Sequence, residues 1–144
     1  MQLSNPSFAA EITQSFSKQT IMALIGAELS RVEPGLIEIT LPYRADLAQQ
    51  HGYLHAGIVT TIADSACGYA AYSLMPPNSE VLSVEFKVNL LRPAKGEAFL
   101  AEAEVVKSGK TLTVVRADVF AVDEQSERNL VATMLGTMMG MKRV

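Results

Sequence analysis

Asp64 is the residue on which any chemistry in this chain would turn. It is the only acidic residue in the stretch Gln49–Met75, QQHGYLHAGIVTTIADSACGYAAYSLM, which contains no Lys or Arg. From His55 to Leu74 that stretch is almost entirely apolar or small. Burying an unpaired charge is expensive, so such a carboxylate needs partners, water or a chemical task. The structural alternative is a carboxylate bonded to Thr60, Thr61 or another chain. The chemical one is a base or nucleophile, and perturbed acids serve both purposes. Two other constellations weigh less. His51, His55 and Asp64 have His-x3-His spacing, but Gly52 and a predicted loop break the single helical turn that a metal pair would need. Cys67 is the single cysteine, so it makes no internal disulfide, and inside an apolar segment it reads as a buried, inert thiol.

The same stretch must position Asp64. As a helix it places Gly57, Thr61, Asp64 and Gly68 on one stripe and Ile58, Ile62 and Tyr69 on a neighbouring face. A helix apolar on most of its circumference is a buried one. The β-branched run Ile58–Ile62 also fits a strand, but the Ala-rich half from Ala63 to Ala71 favours helix. Twenty helical residues span about 30 Å, and the start is too polar for a membrane span.

Around that helix the chain reads as strands. Residues 1–25 form a helical lead-in, with Asn5-Pro6-Ser7 as a start and Phe8, Ile12 and Phe16 at helical spacing. Ile21–Ile25 adds a short apolar turn ended by Gly26. Ala27–Glu33 and Leu36–Leu41 flank Pro34-Gly35, a hairpin signal. After the break at Pro76-Pro77-Asn78, Leu82, Val84, Phe86, Val88 and Leu90 alternate with Ser83, Glu85, Lys87 and Asn89, which predicts a half-buried strand. Three more strands are predicted over Ala98–Lys107, Thr111–Val122 and Leu130–Met141. Antiparallel strands around a single buried helix make an α+β domain.

The 144 residues fit one domain, 1–144, and 49% hydrophobic against 19% charged residues allows a real core. A net charge of −3 argues against nucleic acid as partner. No basic segment followed by a long apolar run opens the chain, so a cytoplasmic location is the default expectation, with no membrane partner.

His55-Ala56-Gly57, followed by Ile62-Ala63-Asp64-Ser65-Ala66 on the apolar helix, resembles the signature of the hotdog-fold acyl-CoA thioesterases, most closely the phenylacetate-pathway (PaaI-like) branch of the 4-hydroxybenzoyl-CoA thioesterase superfamily. The likeness continues through Ser83-Val84-Glu85-Phe86, Arg92-Pro93-Ala94 and Lys107-Ser108-Gly109-Lys110-Thr111 and covers the chain from about residue 25 onward. It implies a curved antiparallel sheet wrapped around one long central helix. It also implies two chains pairing edge to edge, often as a dimer of dimers (a homotetramer), with each active site at the dimer interface.

The resemblance implies roles as well. Asp64 matches the central-helix acid, acting as general base or as nucleophile. Ala56 N–H, with Gly57 beside it, matches the oxyanion donor, and Ala56 stands where many relatives carry glycine. Gln49, fifteen residues before Asp64, matches an Asn or Gln that helps hold the carbonyl or water; Gln50 is the neighbour if the register slips by one. His55 supports the helix start. Ser83 matches a hydroxyl that orients the attacking water, against the alternative of an exposed strand serine. Tyr69 and Tyr72, farther along the helix, are candidates to line the acyl pocket or to pack the core. Arg92, Lys107 and Lys110, with Ser108 and Thr111, are candidates for the phosphates of coenzyme A, which is part of the substrate; no separate cofactor or metal is expected. The implied reaction is hydrolysis of a small aromatic or medium-chain acyl-CoA to free acid and CoA. An acyl-CoA-binding sensor without turnover and an acyl-carrier-protein thioesterase are the alternatives.

Overall fold

A computed structural model describes residues 3–143. Two short helices, α1 (Phe8–Lys18) and α2 (Thr20–Ile25), lead into a hairpin, β1 (Glu28–Glu33) and β2 (Leu36–Pro42). A single 3-10 turn at Ala45–Leu47 precedes the central helix α3 (Ala56–Tyr72). Four strands follow: β3 (Ser79–Leu90), β4 (Ala98–Ser108), β5 (Leu112–Val122) and β6 (Arg128–Lys142). They form one six-stranded sheet in the order β1-β2-β4-β5-β6-β3, antiparallel throughout. Helix α3 packs on β2, β3, β4, β5 and β6. This is the α+β hotdog arrangement.

The helix seats on the sheet because both faces are small. Ala63, Ala66 and Ala70 of α3 are fully buried. So are Ala101 and Ala103 of β4 and Ala117 of β5, while Ile37, Ile39, Leu41 and Val119 fill the space between. Alternation along each strand sends these residues to the helix and their neighbours outward. The C-terminal end of α3 is tied down by Ser73. Its buried hydroxyl donates to the Ala70 carbonyl at 2.6 Å and accepts the Gly35 N–H at 2.7 Å. Gly35 sits at φ 73° in the β1–β2 turn, a conformation that suits glycine. The turn predicted at Pro34-Gly35 and the stop at Gly26, which is left-handed at φ 82°, are both observed.

The strand β3 departs from expectation. Its alternation predicts one buried apolar face, yet Leu82, Phe86 and Leu90 remain 55%, 41% and 56% exposed. β3 is the last strand of the sheet, with a neighbouring strand on one side alone. A β-bulge between Ser83 and Glu85 adds a second difference. Ser83 pairs with the buried Met138, and beyond the bulge Phe86 and Val88 pair with Gly136 and Met134. The bulge therefore turns Ser83 to the helix side of the sheet, where simple alternation would have aimed it at solvent.

Candidate active site

Asp64 lies midway along α3, and its carboxylate Oδ1 accepts a hydrogen bond from Ser83 Oγ at 2.6 Å. An O–H donating to a carboxylate at that length is the short, charge-assisted kind. Ser83 Oγ also lies 3.3 Å from Met138 Sδ. Asp64 and Ser83 line a cleft of about 290 Å³ together with Ser15, Gln19, Ser65, Gly68 and Tyr69. The bulge is what makes the pairing possible, since it brings Ser83 to the face that α3 occupies. Cys67, three residues on, is buried, and burial with the nearby Asp64 charge pushes its thiol up to about 12. It is not a nucleophile at neutral pH.

The start of α3 makes a second feature. His55 is the N-cap, and its Nδ1 accepts the Gly57 N–H at 2.8 Å. That bond needs an unprotonated Nδ1, so the capping imidazole carries its proton on Nε2. A Cβ on Gly57 would sit 3.0 Å from His55 Nδ1, which is why glycine suits this position. The bond also corrects the expectation for Gly57: its N–H serves the cap and is not open to an oxyanion. Ala56 N–H keeps that capacity, at the positive end of the helix. Ala56 lines a cavity of about 450 Å³ with Gln49, Tyr53, Val59, Leu91 and Arg92. Gln49 Oε1 accepts from His51 N–H at 2.6 Å and Tyr53 N–H at 3.2 Å, holding the loop in place. Its side-chain oxygen is thus spoken for, and only its amide nitrogen remains to meet a carbonyl or water.

Ala56 and Asp64 are eight residues apart on one helix, about 12 Å along the axis at 1.5 Å per residue. A single thioester carbonyl must lie about 3 Å from both its oxyanion donor and its attacking group. Within one chain the Ala56 N–H and the Asp64 carboxylate are therefore not placed to meet the same thioester carbonyl.

The remaining candidates divide. Tyr69 lines the Asp64 cleft, but its hydroxyl accepts from Gln19 Nε2 at 2.8 Å and shares a hydrogen bond with Ser15 Oγ at 3.1 Å. Tyr72 lines a smaller neighbouring recess without Asp64, and its hydroxyl donates to Glu11 at 2.7 Å. That bond and one from Asn5 hold the Glu11 carboxyl below its ordinary range, while burial and then Glu11 push Tyr72 up. Both tyrosines thus anchor α1 and the residues that follow it, and only Tyr69 borders the cleft. Arg92 stands at the N-terminal end of α3, with Nη1 donating to the Leu130 carbonyl at 3.0 Å. Ser108, Lys110 and Thr111 line a cavity with Leu74 and Met75 at the opposite end of the helix, and Lys107 is exposed at the end of β4. Arg92 and the Ser108–Thr111 turn thus line separate cavities within one chain. Ser15, Gln19 and Ser65 belong to the cleft; Ser65 stands in the Ile62–Ala66 motif without a role of its own, and Ser15 and Gln19 had no signal in the sequence, since a glutamine between two short helices has no distinctive spacing.

The profile described as the thioesterase superfamily matches residues 51–127, more than half of the chain. A protein of Saccharolobus solfataricus that is an esterase by name alone is 34% identical over 89% of this chain and 82% of its own length. The 1,4-dihydroxy-2-naphthoyl-CoA hydrolase of Listeria monocytogenes is 30% identical over 62% of this chain and 73% of its own. A thioesterase family protein from Silicibacter pomeroyi superposes with a TM-score of 0.91 at 50% identity, covering 94% of this chain and 98% of that one. Among the described residues no helix is long and apolar enough to cross a membrane.

Proposed function

We propose that this chain, which belongs to the thioesterase superfamily, hydrolyses acyl-CoA thioesters at sites shared between two copies. The observation that carries the reading is the Ser83–Asp64 hydrogen bond on the central helix, beside a cleft large enough for a small acyl group. The aromatic acyl-CoA hydrolase of Listeria monocytogenes supports CoA thioesters of small aromatic or medium acyl groups as the substrate class. Placement in the phenylacetate-pathway branch rests on the His55-Ala56-Gly57 and Ile62–Ala66 motif.

In this reading Ser83 fixes the Asp64 carboxylate, whose other oxygen takes the proton of a water as that water attacks the thioester carbon. The carbonyl electrons move to oxygen, and the Ala56 N–H of the second copy, with its Gln49 amide, stabilises the oxyanion. Collapse of the tetrahedral intermediate breaks the C–S bond. The thiolate leaves and takes up the proton, giving acid and CoA. Direct attack by Asp64, through a mixed anhydride that water then opens, is the competing route. Two copies are needed because Ala56 and Asp64 of one chain are too far apart. The outer strand β3, with its exposed Leu82, Phe86 and Leu90, is the surface for that pairing. Across such a pair, the Arg92 end of one helix and the Lys110 end of the other need no longer be remote from a common nucleotide.

The test is hydrolysis of acetyl-, hexanoyl-, palmitoyl-, benzoyl- and phenylacetyl-CoA, followed with a thiol-trapping dye, beside the matching pantetheine thioesters. Turnover of the hexanoyl or aromatic esters with the CoA forms preferred is expected. Binding without turnover would select an acyl-CoA sensor, and preference for palmitoyl-CoA would overturn the acyl-size assignment.

A further inference from the structure

The far wall of the Asp64 cleft is polar, and the lead-in helices build it. Gln19, between α1 and α2, accepts from Ser65 Oγ through Oε1 at 2.9 Å and donates from Nε2 to the Tyr69 hydroxyl at 2.8 Å. Ser15 of α1 shares a hydrogen bond with the same hydroxyl at 3.1 Å. An amide nitrogen has two protons and a hydroxyl one. One Gln19 proton goes to Tyr69, and among the described residues no acceptor takes the other. Of the Ser15 and Tyr69 hydroxyl protons, only one is used between them, which leaves a second donor. The wall is therefore acceptor-poor and donor-rich.

Nothing at Gly68 blocks the approach, since a Cβ there would meet no atom within 4 Å. From Asp64 to Tyr69 is five residues, about 7.5 Å along the axis. That separates a thioester carbonyl at Asp64 from the fifth or sixth atom of an acyl chain lying along α3. No Lys or Arg lines the cleft, and Asp64 is its one charge. Glu80 lines the adjoining recess. A carboxylate at the acyl end would face these acids without a cation, whereas a neutral oxygen would meet two free donors.

Building on the hydrolytic reading, we propose that Gln19 and Ser15 are specificity residues that select acyl groups bearing a neutral oxygen acceptor, such as a ketone or hydroxyl, at about the fifth carbon. The probes are 5-oxohexanoyl-CoA, hexanoyl-CoA and the anionic glutaryl-CoA, compared by kcat/KM. Their non-hydrolysable thioether counterparts are compared by calorimetric Kd. Wild type should favour the oxo ester over hexanoyl-CoA by about fivefold or more, the worth of one or two net neutral hydrogen bonds, with glutaryl-CoA last. Gln19→Glu keeps a partner for both Ser65 and Tyr69 but removes the spare N–H, and should bring the oxo-to-hexanoyl ratio close to one. Ser15→Ala, at an exposed position, should lower the ratio as well and serves if the first variant does not fold. A wild-type ratio of one or less, or a ratio unchanged in the folded variants, overturns the proposal. If hexanoyl-CoA is hydrolysed in an Asp64-dependent way while the ratio is one, specificity fails and hydrolysis stands. If no ester turns over, hydrolysis fails, and the thioether Kd ratio decides the specificity claim by the same criterion.

Discussion

Ser83→Ala isolates the one hydrogen bond that the proposed chemistry depends on and leaves Asp64 itself intact. The bond is 2.6 Å long and ends on a carboxylate. Hydrogen bonds to charged groups have a net worth of about 1.5–3 kcal/mol, and solvent access at this position favours the lower figure. At about 1.4 kcal/mol per factor of ten, loss of a bond that orients the carboxylate for attack corresponds to a fall of roughly tenfold in kcat. KM should change less than kcat, because the Ser83 hydroxyl is bonded to Asp64 and Ser83 only borders the cleft proposed for the acyl group. Stability should change little. Ser83 is exposed, and Met138, 3.3 Å away, is a flexible side chain able to fill the space of a hydroxyl. The assay is steady-state thiol release from hexanoyl-CoA for wild type, Ser83→Ala and Ser83→Thr, with thermal melts of all three. Ser83→Thr should recover most of the rate, since it restores the hydroxyl. A Ser83→Ala enzyme within twofold of wild type would refute the argument that this bond positions the catalytic carboxylate.

Two further expectations come from other parts of the molecule. Phe86→Glu places a charge on the outer strand β3 at a side chain left 41% exposed; light scattering should show a monomer with hydrolysis lost, and an active dimer would contradict the pairing through β3. Glu102 faces Glu38 directly across β4 and β2, and burial first, then Glu38, raises its carboxyl above the ordinary 4.5 despite Arg128 and Arg31 nearby. A carboxyl that binds its proton more tightly in the folded state lends stability that is full below the unfolded value and lost as pH rises through the folded one. Glu102→Gln should therefore raise the melting temperature near neutral pH and flatten its decline as pH rises from the ordinary Glu value; a steeper decline in the variant would refute this.

Much of the fold was readable because its signals are local. The alternation in β2, the turn at Pro34-Gly35, the stop at Gly26 and the Ala-rich half of α3 each act within a few residues. The candidate site stood out where a residue type is costly in its surroundings, as Asp64 is in an apolar helix. Three features were not readable. The bulge at Ser83 inverts the alternation that a strict period of two implies, so the hydroxyl faces the helix although its place in the pattern is polar. The engagement of Gly57 N–H by His55 depends on a side-chain torsion, which spacing does not encode. The cleft wall from Gln19 and Ser15 is a tertiary contact between the lead-in helices and α3, some fifty residues apart in sequence. The exposure of β3 has a different origin: it closes one edge of the sheet, and alternation along a strand does not say whether its apolar side chains are covered.

In the proposed chemistry Asp64 drives thioester hydrolysis, and Asp64→Asn removes that role alone. The amide keeps the size of the side chain and its bond to Ser83 but can neither take a proton from water nor attack the thioester. Measured as kcat for hexanoyl-CoA on protein free of host thioesterase, with the melting temperature as a control for folding, the variant should lose about a hundredfold or more. A folded Asp64→Asn protein that turns over at close to the wild-type rate would contradict the account.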